Sequence, residues 1–162
     1  MVLVIIGIFV GTAVLSIGAA GNDREAEREV LRLQTLLELL REEAVMQNRD
    51  YGILFAQSGY RFYIYDQAAL VWFEPPNDRF LAARELEGLS LDLRLEDRDI
   101  SLSADFDDEM LDEPEPQVIL LASGEMTPFE AAFFREFNGG RYLLAAELNG
   151  SLEVSTETGN GF

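Results

Sequence analysis

The 162-residue chain carries a formal net charge of −18, contains no histidine and no cysteine, and draws all twelve of its basic residues from arginine. Without Cys or His there is no Cys–His or Ser–His–Asp nucleophile, no usual zinc site, no imidazole base and no disulfide. So acidic a surface repels phosphate backbones and anionic headgroups, which argues against nucleic acid as a partner and against a soluble part lying flat on a membrane.

The first stretch, Met1 to Asn22, has no charged residue. Met1–Ala20 reads MVLVIIGIFVGTAVLSIGAA, long enough as a helix of about 20 residues to cross a bilayer core. Val2, Leu3, Val4, Ile5, Ile6, Gly7, Ile8, Phe9, Val10 and Gly11 are its candidate membrane and assembly face. Gly7 and Gly11 have the small-xxx-small spacing that lets helices approach closely, although glycine is also tolerated in membrane helices without such a role. A secretory signal peptide is the alternative. Its basic start is absent and the apolar run exceeds a usual h-region, but Ala19-Ala20-Gly21 imitates a cleavage site.

From Asp23 the chain becomes amphipathic. Val30, Leu33, Leu37, Leu40 and Ala44 recur at 3-4-3-4 spacing, the apolar stripe of a helix, and Leu36 and Leu39 widen it. Glu25–Glu29 and Arg28–Arg32 are like-charge i,i+4 pairs, so surface pairing adds little. The stripe covers only about two heptads, so it is expected to pack on the chain's own domain rather than form a coiled-coil seam. Gln-Asn-Arg-Asp should end the helix near Asn48. Three regions result: 1–22 as a transmembrane and assembly helix, 23–48 as its amphipathic continuation, and 49–162 as a β-rich domain.

Beyond Asp50 the period changes to two. Tyr51–Ala56 and Tyr60–Tyr65 flank Gln57-Ser58-Gly59, a hairpin signal. Their aromatics, Tyr51, Phe55, Tyr60, Phe62, Tyr63 and Tyr65, should divide between core and surface by alternation. Leu70–Phe73 is a short strand before Pro75-Pro76, and Trp72, Phe73 and Phe80 are expected to pack beneath that turn, with an exposed partner patch as the alternative. Leu89–Leu95 alternates with one wet face, and Ile100–Ser103 follows suit. The acidic run Asp105–Glu113 lacks EF-hand spacing and its glycine, so it reads as a solvated loop without metal. Gln117–Ala122 is a buried strand. Glu130–Phe137 and Arg141–Leu148 flank Asn138-Gly139-Gly140, with a helical turn as the alternative for residues 130–136. Asn149-Gly150 leads to a closing strand from Ser151. The fold class is α+β: a long N-terminal helix packed on an antiparallel sheet or sandwich of seven or eight strands.

Leu3-Val4-Ile5-Ile6-Gly7-Ile8 resembles the Val-Ile-Ile-Gly-Ile that ends the apolar stretch of type IV pilin-like N-terminal segments. Gln117–Phe129 is similar to the strand, Ser/Asp-Gly turn and Thr-Pro-Phe-like step of the H-type minor pseudopilins of type II secretion, and Leu148–Val154 resembles their closing hairpin. The resemblance implies a pilin-like domain held in the periplasm by a single-pass inner-membrane helix. It implies a non-enzymatic subunit at or near the tip of a short filament that supports export of folded proteins across the outer membrane. Its partners would be other pseudopilins, met through the N-terminal helix, inner-membrane lipid, exported proteins and a prepilin peptidase that cleaves and methylates the subunit. It implies no cofactor. The family's processing site, methylated first residue and early glutamate have no counterpart here, which predicts a start roughly ten or more residues upstream of Met1. A minor pilin of a type IV pilus is the nearest alternative, and a tethered or secreted two-carboxylate hydrolase is the alternative of another class.

Overall fold

In the computed structural model, residues 2–136 and 140–157 are described, with side chains from Arg24 onward. Helix α1 is Val2–Gln47. Its stop is chemically explicit. Asn48 takes a left-handed conformation (φ 52°) and the Arg49 N–H donates back to the Ala44 carbonyl at 3.1 Å, the Schellman closure in which Asn is a tolerated substitute for glycine.

Ten strands follow, in two five-stranded antiparallel sheets. The first sheet holds β1 (Tyr51–Ala56), β2 (Gly59–Asp66), β3 (Val71–Phe73), β4 (Arg84–Glu85) and β7 (Val118–Leu120) in the order β3-β2-β1-β7, with β4 also on β2. The second holds β5 (Ser90–Leu95), β6 (Arg98–Ile100), β8 (Phe129–Phe134), β9 (Arg141–Ala146) and β10 (Leu152–Glu157) in the order β10-β9-β8-β5-β6. The β1–β2 hairpin pairs Ala56 with Gly59 across the two-residue turn Gln57-Ser58. Gly59 is required there because the Arg84 carbonyl of β4 occupies the space a Cβ would need. The β9–β10 turn closes with Gly150 at φ 79°, its N–H donating to the Glu147 carbonyl at 2.9 Å.

Several sequence expectations change. The expected strand at 130–137 is β8 but runs from Phe129 to Phe134, the helical-turn alternative does not hold, and Phe137, Asn138 and Gly139 lie outside the described residues. The strand expected at Ile100–Ser103 is instead β6, Arg98–Ile100, with residues 101–103 outside it, and the added strand β4 is only two residues long with no periodic signal. The acidic run contains a one-turn helix, α2 (Asp108–Asp112), because the Asp107 side chain accepts from the Met110 N–H at 2.9 Å and caps it.

The aromatic alternation also fails in an informative way. All six residues of β1 are buried, as is Tyr63 on β2. Phe55, Tyr60, Phe62 and Ile64 face the main core, as alternation requires. The opposite face is covered as well, by the segment between β6 and β7. Pro116 lies so close to Gly52 that a Cβ there would meet its Cγ at 2.5 Å, and the Arg61 guanidinium sits 5.0 Å from the Phe106 ring centroid. The Gln117 side chain pins that segment, accepting from the Phe55 N–H at 2.8 Å and donating to the Phe55 carbonyl at 3.1 Å, in the manner of one more strand residue.

One hydrophobic core joins both sheets to the helix through Ala26, Val30, Leu33, Leu36, Leu37, Leu40 and Ala44. Leu39 does not join it and is 53% exposed. At 100° per residue it falls about 60° outside Leu36, beyond the arc the sheets can reach. Leu37→Ala should therefore destabilise the domain by about 2–5 kcal/mol in urea titrations, and Leu39→Ala by less than about 0.5 kcal/mol.

Candidate assembly interface

The stem is built in layers along α1. Val2, Leu3, Val4, Ile5, Ile6, Gly7, Ile8, Phe9, Val10 and Gly11 lie outside the described side chains. Among the described residues no helix is long and apolar enough to cross a membrane. From Ala26 the described stripe begins, and Val30, Leu33, Leu37, Leu40 and Ala44 are all at most 1% exposed.

Where the buried stripe starts, each sheet contributes one arginine. Arg84 of β4 grips Glu29 with two nitrogens, the Nε–Oε2 bond being 3.0 Å, and Arg135 beyond β8 pairs with Glu25. Glu29 is buried and Glu25 is about half exposed, so the first pair is the stronger constraint on helix position. Sequence reasoning missed both. Glu29 precedes Leu33 and Leu40 on the same 4-3-4 row, which places it at the rim of the stripe. Its partner lies 55 residues away, and no local pattern marks it.

Tyr60 fills the space beneath this collar. Its hydroxyl is buried and forms no hydrogen bond of ordinary geometry among the described residues, although Arg32 acts on it. Burial, then the Glu29 carboxylate, push it up to about 12, with Arg32 and Arg84 pulling partly back. Burial and then Glu43 push Tyr51, under the other end of the helix, up to about 12 as well.

The helix has a second apolar surface. Leu31, Leu39, Val45 and Met46 are exposed. Leu31, Leu39 and Met46 fall within about 80° of one another, on the side opposite the buried stripe. Thr35 shares that arc and turns its hydroxyl inward, donating to the Leu31 carbonyl at 2.9 Å. The long helix thus presents one face to its own domain and another, on which Leu31, Leu39 and Met46 stand exposed among Arg28 and Glu42, outward.

A stem helix seated on a two-sheet domain, with a spare helical face, defines a pilin-like assembly subunit. The family model of the type II transport protein GspH matches residues 29–151. The chain belongs to this family and is a minor pseudopilin of type II secretion. It is 33% identical over 145 residues to the type II secretion system protein H of Pseudomonas aeruginosa, covering 88% of this chain and 83% of the relative. To that of Vibrio cholerae it is 30% identical over 135 residues, covering 72% and 70%. The crystal structure of the V. cholerae minor pseudopilin EpsH superposes with a TM-score of 0.70 at 28% identity, covering 82% of this chain and 97% of that one. The solution structure of Escherichia coli GspH shares the fold, with a TM-score of 0.60 at 21% identity, covering 85% and 92%. The family is one of structural subunits.

The Tyr60 environment has a measurable consequence. Its folded-state pKa lies above the unfolded value of 10, so the unfolded chain holds fewer protons between them. Stability should be intact below pH 10 and fall as pH rises toward 12, with Tyr60 contributing on the order of 2 kcal/mol of the loss. Tyr60→Phe should be within about 1 kcal/mol of wild type at pH 8, because only a weak contact with Arg32 is lost, and should show a shallower decline above pH 10 in urea midpoints.

Proposed function

We propose that this chain is inserted in the bacterial inner membrane through residues 1–22, with residues 49–162 in the periplasm, and enters the type II secretion filament at or near its tip. Residues 23–48 join the two, fixed to the domain through Val30, Leu33, Leu37, Leu40 and Ala44. The uncharged segment Val2–Gly11 packs against the helices of neighbouring pseudopilins, exchanging lipid for apolar side chains with little hydrophobic change. Processing by a prepilin peptidase belongs to the same route, although the family's cleavage motif does not occur within this chain. The role is mechanical and not catalytic. The convergent carboxylates Glu25 and Glu29 are each tied to an arginine, which suits a structural collar better than an acid–base pair.

The observation that carries this reading is the two-sided helix. Its inner stripe is consumed by the domain, while Leu31, Leu39 and Met46 remain exposed on the outside. Exposed large side chains at helical spacing stabilise nothing within the monomer, and they fit burial against a neighbouring subunit.

Deleting the gene in its native host should abolish export of folded substrates, and the wild-type chain should restore it. A Leu31→Glu/Leu39→Glu variant should restore little, although its Tm stays within about 2 °C of wild type, since both sites are exposed. Undiminished export in the deletion strain would sink the assignment. Full rescue by the double variant would remove the outer helical face from the interface.

A further inference from the structure

A groove unused by the stem lies on the far face of the first sheet. Trp72, Phe73 and Phe80 were expected beneath the Pro-Pro turn. Instead Phe73 and Phe80 are exposed, Phe80 by 73%, and Trp72 is only half-buried. Trp72 pairs with Tyr65 across β2–β3, on the side away from the core residue Ile64. Their rings lie 4.9 Å apart at 51°. Together with Leu70 they floor a groove of about 560 Å³, and the opposite bank is the segment Asp112–Pro116 with Asp112, Glu113 and Glu115.

Leu70 is the telling residue. It ends the four-residue turn between β2 and β3 in the left-handed region, at φ 59°. The turn is rigidly built. Asp66 accepts from the Ala68 and Ala69 N–H groups at 2.8 and 3.0 Å, and its carbonyl accepts from the Leu70 N–H at 2.8 Å. Glycine or asparagine is favoured at such a position, and a leucine there is strained. Leu70 recovers nothing by burial, being 71% exposed. A strained, exposed apolar side chain held at the lip of a groove serves something other than folding.

Two further features define the occupant. Asp112, Glu113 and Glu115 form no ion pair among the described residues, so their charge faces the groove uncompensated. The aromatic pair offers a π-face, and carboxylates opposite a π-face select a cation with an apolar stem, arginine or lysine. The groove lies over the face of β2, between Trp72 of β3 and Pro116, which packs against Gly52 of β1. We infer that the groove between β3 and Asp112–Pro116 binds a cationic segment of another polypeptide, with a basic side chain between Trp72 and the carboxylates and an apolar neighbour on Leu70. The core-facing stem plays no part in this recognition.

Trp72 is the chain's single tryptophan, so its fluorescence reports on this groove directly. The full chain in nonionic detergent micelles is titrated with a capped hexapeptide of alternating Arg and Val, with Glu–Val and Ser–Val peptides alongside. A saturable change in Trp72 emission is expected from the Arg–Val peptide alone, weakened at least tenfold by 1 M salt, where screening acts within about 3 Å. Glu113→Gln/Glu115→Gln should weaken it tenfold or more. Leu70→Gly should also weaken it tenfold, yet raise Tm by about 3 °C by relieving the backbone. That opposition of sign is not expected from a structural residue. Equal binding of the Ser–Val or Glu–Val peptide would overturn the proposal in favour of a purely apolar occupant. An emission change that follows protein concentration without peptide would overturn it in favour of a second copy. Unchanged affinity in Leu70→Gly would overturn it whatever the charge variants do.

Discussion

Everything in this molecule hangs on one buried face of one helix. Two five-stranded sheets supply Phe55, Tyr60, Phe62, Leu91, Phe133 and Leu144 to a common interior, and α1 joins them there with Val30, Leu33, Leu37 and Leu40. Fully burying a Leu or Val side chain is worth about 1.5–3 kcal/mol, so seven stripe residues acting together outweigh any surface pair. The Glu29–Arg84 and Glu25–Arg135 contacts have a different use. Hydrophobic burial is nondirectional and would tolerate a small slide or roll of the helix. Ion pairs drawn from both sheets select one register, at the level where the helix leaves the domain.

A fixed register makes the rest of the helix useful. Because the inner arc is anchored, Leu31, Leu39 and Met46 point in a set direction relative to the domain. A neighbouring subunit that packs against this arc thereby positions both globular domains. An unanchored helix would bind its neighbour equally well in lipid or filament but would leave the domain swinging. The rigid Schellman stop at Asn48 serves the same end, since Arg49 ties back to Ala44 before the chain turns into β1.

Local chemistry made much of this legible. The 3-4 spacing of Val30–Ala44, the Gln57-Ser58 hairpin and the Asn149-Gly150 turn are each decided within a few residues, and the structure places elements there. What escaped was decided at long range. Leu39 looks like part of the apolar stripe, because sequence spacing says which arc is apolar and not how much of it a domain can wrap. Tyr63 and Leu54 look solvent-facing by alternation. They are buried because Gln117, 62 residues from Phe55, fastens a covering segment over them. Trp72, Phe73 and Phe80 beside Pro75-Pro76 read as turn packing, whereas Leu81 alone turns into the core there. Of the stem interface, the inner residues were readable and their arginine partners were not.

Charge distribution ties the two surfaces together. Six of the twelve arginines, Arg61, Arg84, Arg94, Arg98, Arg135 and Arg141, are engaged in ion pairs among the described residues. Thirty acidic residues cannot be matched by so few cations, so the excess must lie outward. Uniformly spread, it would only keep the domain soluble and off anionic headgroups. At Asp112–Glu115 it is instead gathered opposite the Tyr65–Trp72 pair, on the sheet face the helix never touches. The two proposed tasks would conflict on one surface, and the fold keeps them apart. Assembly along the helix as proposed relies on exposed Leu31, Leu39 and Met46, and capture of a cationic chain as proposed relies on the carboxylates of Asp112–Glu115. Placing them on opposite sides of the first sheet lets either change without disturbing the other.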